Sequence, residues 1–140
     1  MILSETKKFA EDMAASAGPD RRVFALVGDL GAGKTAFAGF FLRALGVTDL
    51  VTSPTFVIMK NYPLVHSHFT RAYHIDCYRL KNPEEILLLG FAEILKDEKN
   101  IVLIEWADRI AGILPPETAW IDFTHVAEDS RAITVRPKQQ

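Results

Sequence analysis

Eight consecutive residues, Gly28-Asp29-Leu30-Gly31-Ala32-Gly33-Lys34-Thr35, constrain this chain more than any other stretch, because they spell Gly-x-x-x-x-Gly-Lys-Thr. That spacing suits a dense polyanion. Glycines let main-chain N–H groups approach it without side chains in the way, and the positive end of a following helix lies beneath. The flanks agree with this reading. Val23 to Val27 is a short, continuous apolar run, as expected of a strand covered on both faces. Phe37, Phe40, Phe41, Ala44 and Leu45 then recur at helical spacing, and Gly46 stands where a left-handed cap belongs. Lys34 is expected to reach the β and γ phosphates of a nucleotide, and the Thr35 hydroxyl to be a magnesium ligand. The bland alternative is a glycine-rich turn that merely punctuates strand and helix.

With 140 residues the chain is expected to form one domain with a sizeable core. A net charge of −2 leaves no basic footprint for autonomous nucleic-acid binding, so any RNA is expected to be held by a partner. Cys77 stands alone, which excludes a disulfide framework and a cysteine-rich metal site, and its simplest reading is a small buried hydrophobe. No apolar run approaches membrane-spanning length, and Lys7, Lys8, Glu11 and Asp12 exclude a secretory signal, so a cytoplasmic protein is expected.

Residues 4–17 read as an amphipathic helix with Phe9, Ala10, Met13, Ala14 and Ala17 on one face, closed by Gly18-Pro19. Thr52-Ser53-Pro54-Thr55 is a stiffened loop placed where nucleotide-binding folds put a γ-phosphate sensor, although the same residues also make ordinary turns. Strands are expected over 57–62 and 71–78. The second carries Asp76 near its end, a candidate for the acid that contacts magnesium directly or through water. His74 reads as packed or hydrogen-bonded, and His66 and His68 as solvated. Asn82-Pro83-Glu84-Glu85 opens a helical stretch that breaks at Gly90 and runs to about Lys99, with Asn82 as cap and Leu87-Leu88-Leu89 as core. Ile101 to Ile104 is the most apolar strand and ends at Glu105, a stronger candidate for the same acid. A carboxylate that merely pairs with a nearby lysine is the alternative. Trp106 either covers the site or simply packs. A short helix over 108–114, a strand over 120–126, a turn at 127–130 and a returning strand over 131–136 complete the chain.

Taken together, the string resembles a small bacterial P-loop ATPase family, TsaE (formerly YjeE), which serves threonylcarbamoyladenosine modification of tRNA. The resemblance rests on the loop at 28–35, Thr-Ser-Pro-Thr-Phe at 52–56, His-Ile-Asp-Cys-Tyr-Arg-Leu at 74–80 and Ile-Glu-Trp at 104–106, and it covers nearly the full length. It implies ATP and Mg2+ at the loop, with Gly31, Ala32, Gly33, Lys34, Thr35 and Ala36 around the nucleotide. It further implies Thr35 and Glu105 on the metal with Asp76 nearby, and the segment containing Thr55 as a first switch. Thr6, Trp106 and Arg131 are implied as further nucleotide contacts. Ala36 departs from the family's usual second threonine, which removes one hydroxyl near the α phosphate and leaves the main-chain donors intact. The resemblance also implies work with a heterodimer of the transferase (TsaD-like) and its non-catalytic paralogue (TsaB-like), with slow hydrolysis in isolation.

The expected architecture is a three-layer α/β P-loop NTPase-like domain. Its mixed sheet is parallel around the loop and antiparallel at the hairpins. Three rival functions share the loop. A small-molecule kinase needs an arginine-bearing lid, and the basic residues Arg79, Lys81, Lys96 and Lys99 are too dispersed for one. A GTPase-like switch needs an Asn/Thr-Lys-x-Asp element, which does not occur. A nucleotide-binding subunit that never hydrolyses stays open on sequence grounds.

Overall fold

The computed structural model describes residues 3–28, 33–48, 58–127 and 130–137, with backbone alone for 3, 126, 127, 130 and 131. Helix α1 (Leu3–Ala15) leads to strand β1 (Val23–Gly28) and helix α2 (Lys34–Ala44). Strands β2 (Met59–Pro63) and β3 (Arg71–Asp76), helices α3 (Glu84–Leu87) and α4 (Phe91–Lys96) and strand β4 (Asn100–Glu105) follow. A 3-10 segment (Ala107–Ile113) and strands β5 (Ala119–Ala127) and β6 (Ser130–Val135) complete the order.

The six strands form one sheet in the order β2-β3-β4-β1-β5-β6. The inner pairs β3–β4, β4–β1 and β1–β5 are parallel, and both outer pairs, β2–β3 and β5–β6, are antiparallel. This is the mixed α/β sheet that the sequence leads one to expect. Strand β1 is apolar throughout because helices cover both of its faces. Phe24 and Leu26 pack with Ala10, Met13 and Phe41 from α1 and α2, while Val23 and Ala25 pack with Ile86, Phe91 and Ile110 on the opposite face. Aromatic rings lock α2 to the sheet, with Phe24–Phe41 centroids 4.9 Å apart and Phe37–Phe123 centroids 5.4 Å apart. Gly46 takes the left-handed conformation expected of the α2 cap, at φ 104°. Cys77 is fully buried as expected, and burial, with Asp76 and Asp108 nearby, pushes its thiol pKa up to about 12.

Four local expectations need correction. Leu87, Leu88 and Leu89 are not core: they are 41%, 87% and 48% exposed. Three successive residues sweep most of a helical turn, so they cannot all face the sheet, and α3 lasts only four residues before Gly90 turns the chain at φ 84°. Ile86, Phe91 and Ile94 take the inward positions instead. Asn82 does not cap with its side chain: Pro83 occupies the cap position, and the Asn82 carbonyl accepts the Glu85 N–H at 3.3 Å. His66 and His68 are half-buried rather than solvated. His66 Nδ1 accepts the His68 and Phe69 N–H groups, and His68 Nε2 lies 3.0 Å from the Glu98 carbonyl oxygen. Helix α1 ends at Ala15, two residues before the expected end. Glu128 and Asp129 of the expected turn lie outside the described residues.

The leucine correction has a measurable consequence. Leu88→Glu is expected to change the unfolding free energy by less than about 0.5 kcal/mol, as at other exposed sites. Ile86→Ala, at a fully buried position, is expected to cost about 2–5 kcal/mol. Urea titration followed by circular dichroism compares the two, and a large loss for Leu88→Glu would contradict the exposed placement.

Candidate functional site

The parallel register brings the C-terminal ends of β3, β4, β1 and β5 to one edge, and the glycine loop leaves the sheet there. Gly28, the last residue of β1, has φ 151° and lies opposite Phe123 of β5. A Cβ at this position would collide with the Phe123 carbonyl oxygen, so the loop departs where the strands leave no room for a side chain. Gly33 precedes α2 in the left-handed conformation, at φ 100°, with no side-chain cap. Gly33 therefore brings no side chain to cap the first N–H groups at the positive end of α2.

Side-chain alternation aims the other groups. Residues 72, 74 and 76 of β3 and 101, 103 and 105 of β4 share the α2-facing side of the sheet, and Asp76 sits beside Glu105 in register. Both carboxylates are buried, as is Lys34, at 5% exposure. Thr35 Oγ1 donates to Glu105 Oε1 at 3.1 Å, linking the start of α2 to the end of β4. The other oxygen, Oε2, lies 2.7 Å from His74 Nε2. Asp76 Oδ1 accepts the Tyr78 N–H at 2.9 Å, and its own N–H donates to the Ile58 carbonyl at 2.7 Å. The Lys34 ammonium donates to the Gly28 carbonyl at 2.6 Å and stands 4.2 Å from the Trp106 ring centre.

Trp106 thus covers the lysine. Its backbone is left-handed at φ 56°, a conformation of low population for a bulky residue that surrounding contacts must sustain. Tyr78 packs against it with ring centres 5.1 Å apart, and the Arg109 guanidinium lies 6.0 Å from the indole centre. Of the residues singled out in the sequence, Gly33, Lys34, Thr35, Asp76, Glu105 and Trp106 converge at this edge. Ala36 follows them on α2. Thr6 is buried on α1, the helix packed against α2. Arg131 pairs with His125 at the same end of the sheet, two strands from β1. Gly31, Ala32 and Thr55 lie outside the described residues. Tyr78 falls within the 74–80 motif but with no role attached to it, and Arg109 falls in no motif, since single residues around an aromatic carry no spacing signal. His74 carries one, since it is two residues from Asp76 on an alternating strand.

Among the described residues no cluster of three His, Cys, Asp or Glu could hold a metal by itself. A cavity of about 570 Å³ is lined by residues that include Asp20, Arg21, Asp108, Trp120 and Arg136. No described helix is long and apolar enough to cross a membrane.

A parallel strand that feeds a glycine loop into a helix, with a carboxylate from the neighbouring strand on that helix's second residue, defines a P-loop α/β protein. Residues 2–133 match the family model described as threonylcarbamoyl adenosine biosynthesis protein TsaE, and the chain belongs to that family. The tRNA threonylcarbamoyladenosine biosynthesis protein TsaE of Rickettsia felis is 41% identical over 132 residues, 94% of this chain and 74% of that protein. The protein of the same name from Bacillus subtilis is 41% identical over 130 residues, 93% of this chain and 78% of the relative. The crystal structure of Bacillus subtilis YdiB superposes with a TM-score of 0.77 at 36% identity, covering 96% of this chain and 80% of the other.

Proposed function

We propose that this chain is a magnesium-dependent ATPase that supports the threonylcarbamoyl modification of adenosine 37 in tRNAs reading ANN codons. Its partners in this reading are the TsaD-like transferase and the TsaB-like paralogue, with tRNA held by the complex and the work done in the cytoplasm. The observation that carries the proposal is the Thr35–Glu105 hydrogen bond, which joins the hydroxyl and carboxylate that a P-loop site needs side by side. The donor set also suits the cofactor, because a hydroxyl and two carboxylates are hard oxygen ligands and magnesium takes few protein ligands beside substrate phosphates.

In this reading Thr35 and Glu105 hold the metal, with Asp76 beside them. Bound magnesium offsets charge on the transferred phosphoryl group. Lys34 serves the β and γ phosphates, and the main-chain N–H groups of Gly31, Ala32, Gly33, Thr35 and Ala36 line the nucleotide. Thr55 serves near the γ phosphate, while Thr6, Trp106 and Arg131 are assigned nucleotide contacts. Phosphoryl transfer relies on positioning and charge stabilisation, so a site lacking one positioned group binds ATP yet cleaves it slowly until a partner completes it.

Phosphate release from ATP, measured with and without the partner pair for wild type, Lys34→Ala and Glu105→Ala, tests the proposal. Slow release by the wild type alone, a partner-dependent rise, and no rise for either variant are expected. Equal release by wild type and Lys34→Ala in the presence of partners would overturn the hydrolytic reading in favour of a nucleotide-binding subunit.

A further inference from the structure

The Glu105 carboxylate is held at both oxygens, and the two donors come from different layers of the fold. Thr35 reaches Oε1 from α2, and His74 reaches Oε2 from the adjacent strand β3. His74 is fully buried, and its other ring nitrogen, Nδ1, is buried without a hydrogen-bond partner among the described residues. That asymmetry assigns the hydrogen. A hydrogen on Nδ1 would strand a buried donor, whereas a hydrogen on Nε2 is donated to the carboxylate and leaves only a bare lone pair behind.

We propose that His74 is a positioning residue for Glu105: its Nε2–H ties down Oε2, so that Oε1 alone is left turned toward Thr35 and the mouth of the loop. This rests on the reading of the loop as a Mg2+–ATP site. In consequence Glu105 would present one oxygen, not two, to a bound metal. His74 acts through Glu105 and is not assigned any contact with nucleotide. A carboxylate without this tether could rotate and offer either oxygen, and loss of such supporting hydrogen bonds weakens metal sites.

Two measurements test the assignment. Nitrogen-15 spectra of the free, histidine-labelled chain are expected to show His74 with hydrogen on Nε2 and Nδ1 bare; hydrogen on Nδ1 with Nε2 bare would overturn the proposal. Calorimetric ATP binding in Mg2+ and in EDTA is then compared for wild type, His74→Phe and His74→Gln. The Phe variant is expected to lose about 10–100-fold in affinity with Mg2+ and less than about twofold in EDTA. His74→Gln, whose amide can donate from a similar place, is expected to recover most of the loss. Equal losses in both conditions would show a merely structural histidine and overturn the assignment, as would no loss with Mg2+. If the Phe variant does not fold, the spectrum and the Gln variant decide. A wild type that binds no ATP in either condition would remove the Mg2+–ATP reading and the metal-directed role with it, while the spectrum would still decide the His74–Glu105 bond.

Discussion

Alanine in place of Gly28 is expected to destabilise the fold by about 3–5 kcal/mol, combining left-handed backbone strain with overpacking against main chain. A flexible side chain could swing away from the new methyl group, but the obstacle here is the Phe123 carbonyl. Gly28 and Phe123 are register partners in the β1–β5 ladder, so relief requires the strands to part at that end. Strand β5 cannot move alone, because Phe123 is buried against Phe37 of α2. Gly39→Ala is the matched control, since Gly39 lies within α2 and a Cβ there meets nothing within 4 Å. That change is expected to be neutral or to stabilise by up to about 1 kcal/mol. Urea unfolding of both variants checks the pair, and a Gly28→Ala loss no larger than that of an average surface change would show that the strands separate freely.

The central strands are legible in the sequence because double-sided burial leaves a short, unbroken apolar run, here bounded by glycine on one strand and a carboxylate on the other. Val23 to Val27 and Ile101 to Ile104 are apolar without alternation, and both are inner parallel strands. The β5–β6 hairpin shows instead through alternation at 120–126, as suits a pair nearer the edge. The α3–α4 region reads poorly for a physical reason. Its two helices have four and six residues, too few for helical periodicity to say which leucine faces inward.

The site divides in the same way. Spacing alone marks Gly33, Lys34 and Thr35, and a carboxylate at the end of an apolar strand marks both Asp76 and Glu105. The sequence already favours Glu105 of the two; what only the register adds is that they sit side by side and that Glu105 accepts the Thr35 hydroxyl. His74 reads as packed or hydrogen-bonded and is both, but its partner lies 31 residues away, a distance no local pattern spans. The left-handed backbone of Trp106 is equally silent, because a tryptophan in the sequence carries no mark of the turn that follows β4.

If the proposed ATPase reading holds, Lys34→Met is expected to lower kcat/KM for ATP hydrolysis by about 10²–10³-fold, the loss typical of removing one preorganised donor from a charge-stabilising site. Methionine keeps an unbranched apolar stem beneath Trp106 and removes the ammonium, so the change isolates the charge from the packing. The lysine is 5% exposed and bonded to the Gly28 carbonyl, and its position at the loop mouth is therefore held before any nucleotide arrives. Lys34→Arg is not expected to rescue. The planar guanidinium is bulkier than an ammonium at a position only 5% exposed, and its fork does not reproduce a compact point charge. Circular dichroism confirms that each variant is folded, and phosphate release in the presence of the partner pair supplies the rates. A wild-type rate from Lys34→Met would, like an unchanged Lys34→Ala, count against the hydrolytic reading and leave the ammonium a role in the fold alone, bonded to the Gly28 carbonyl beneath Trp106.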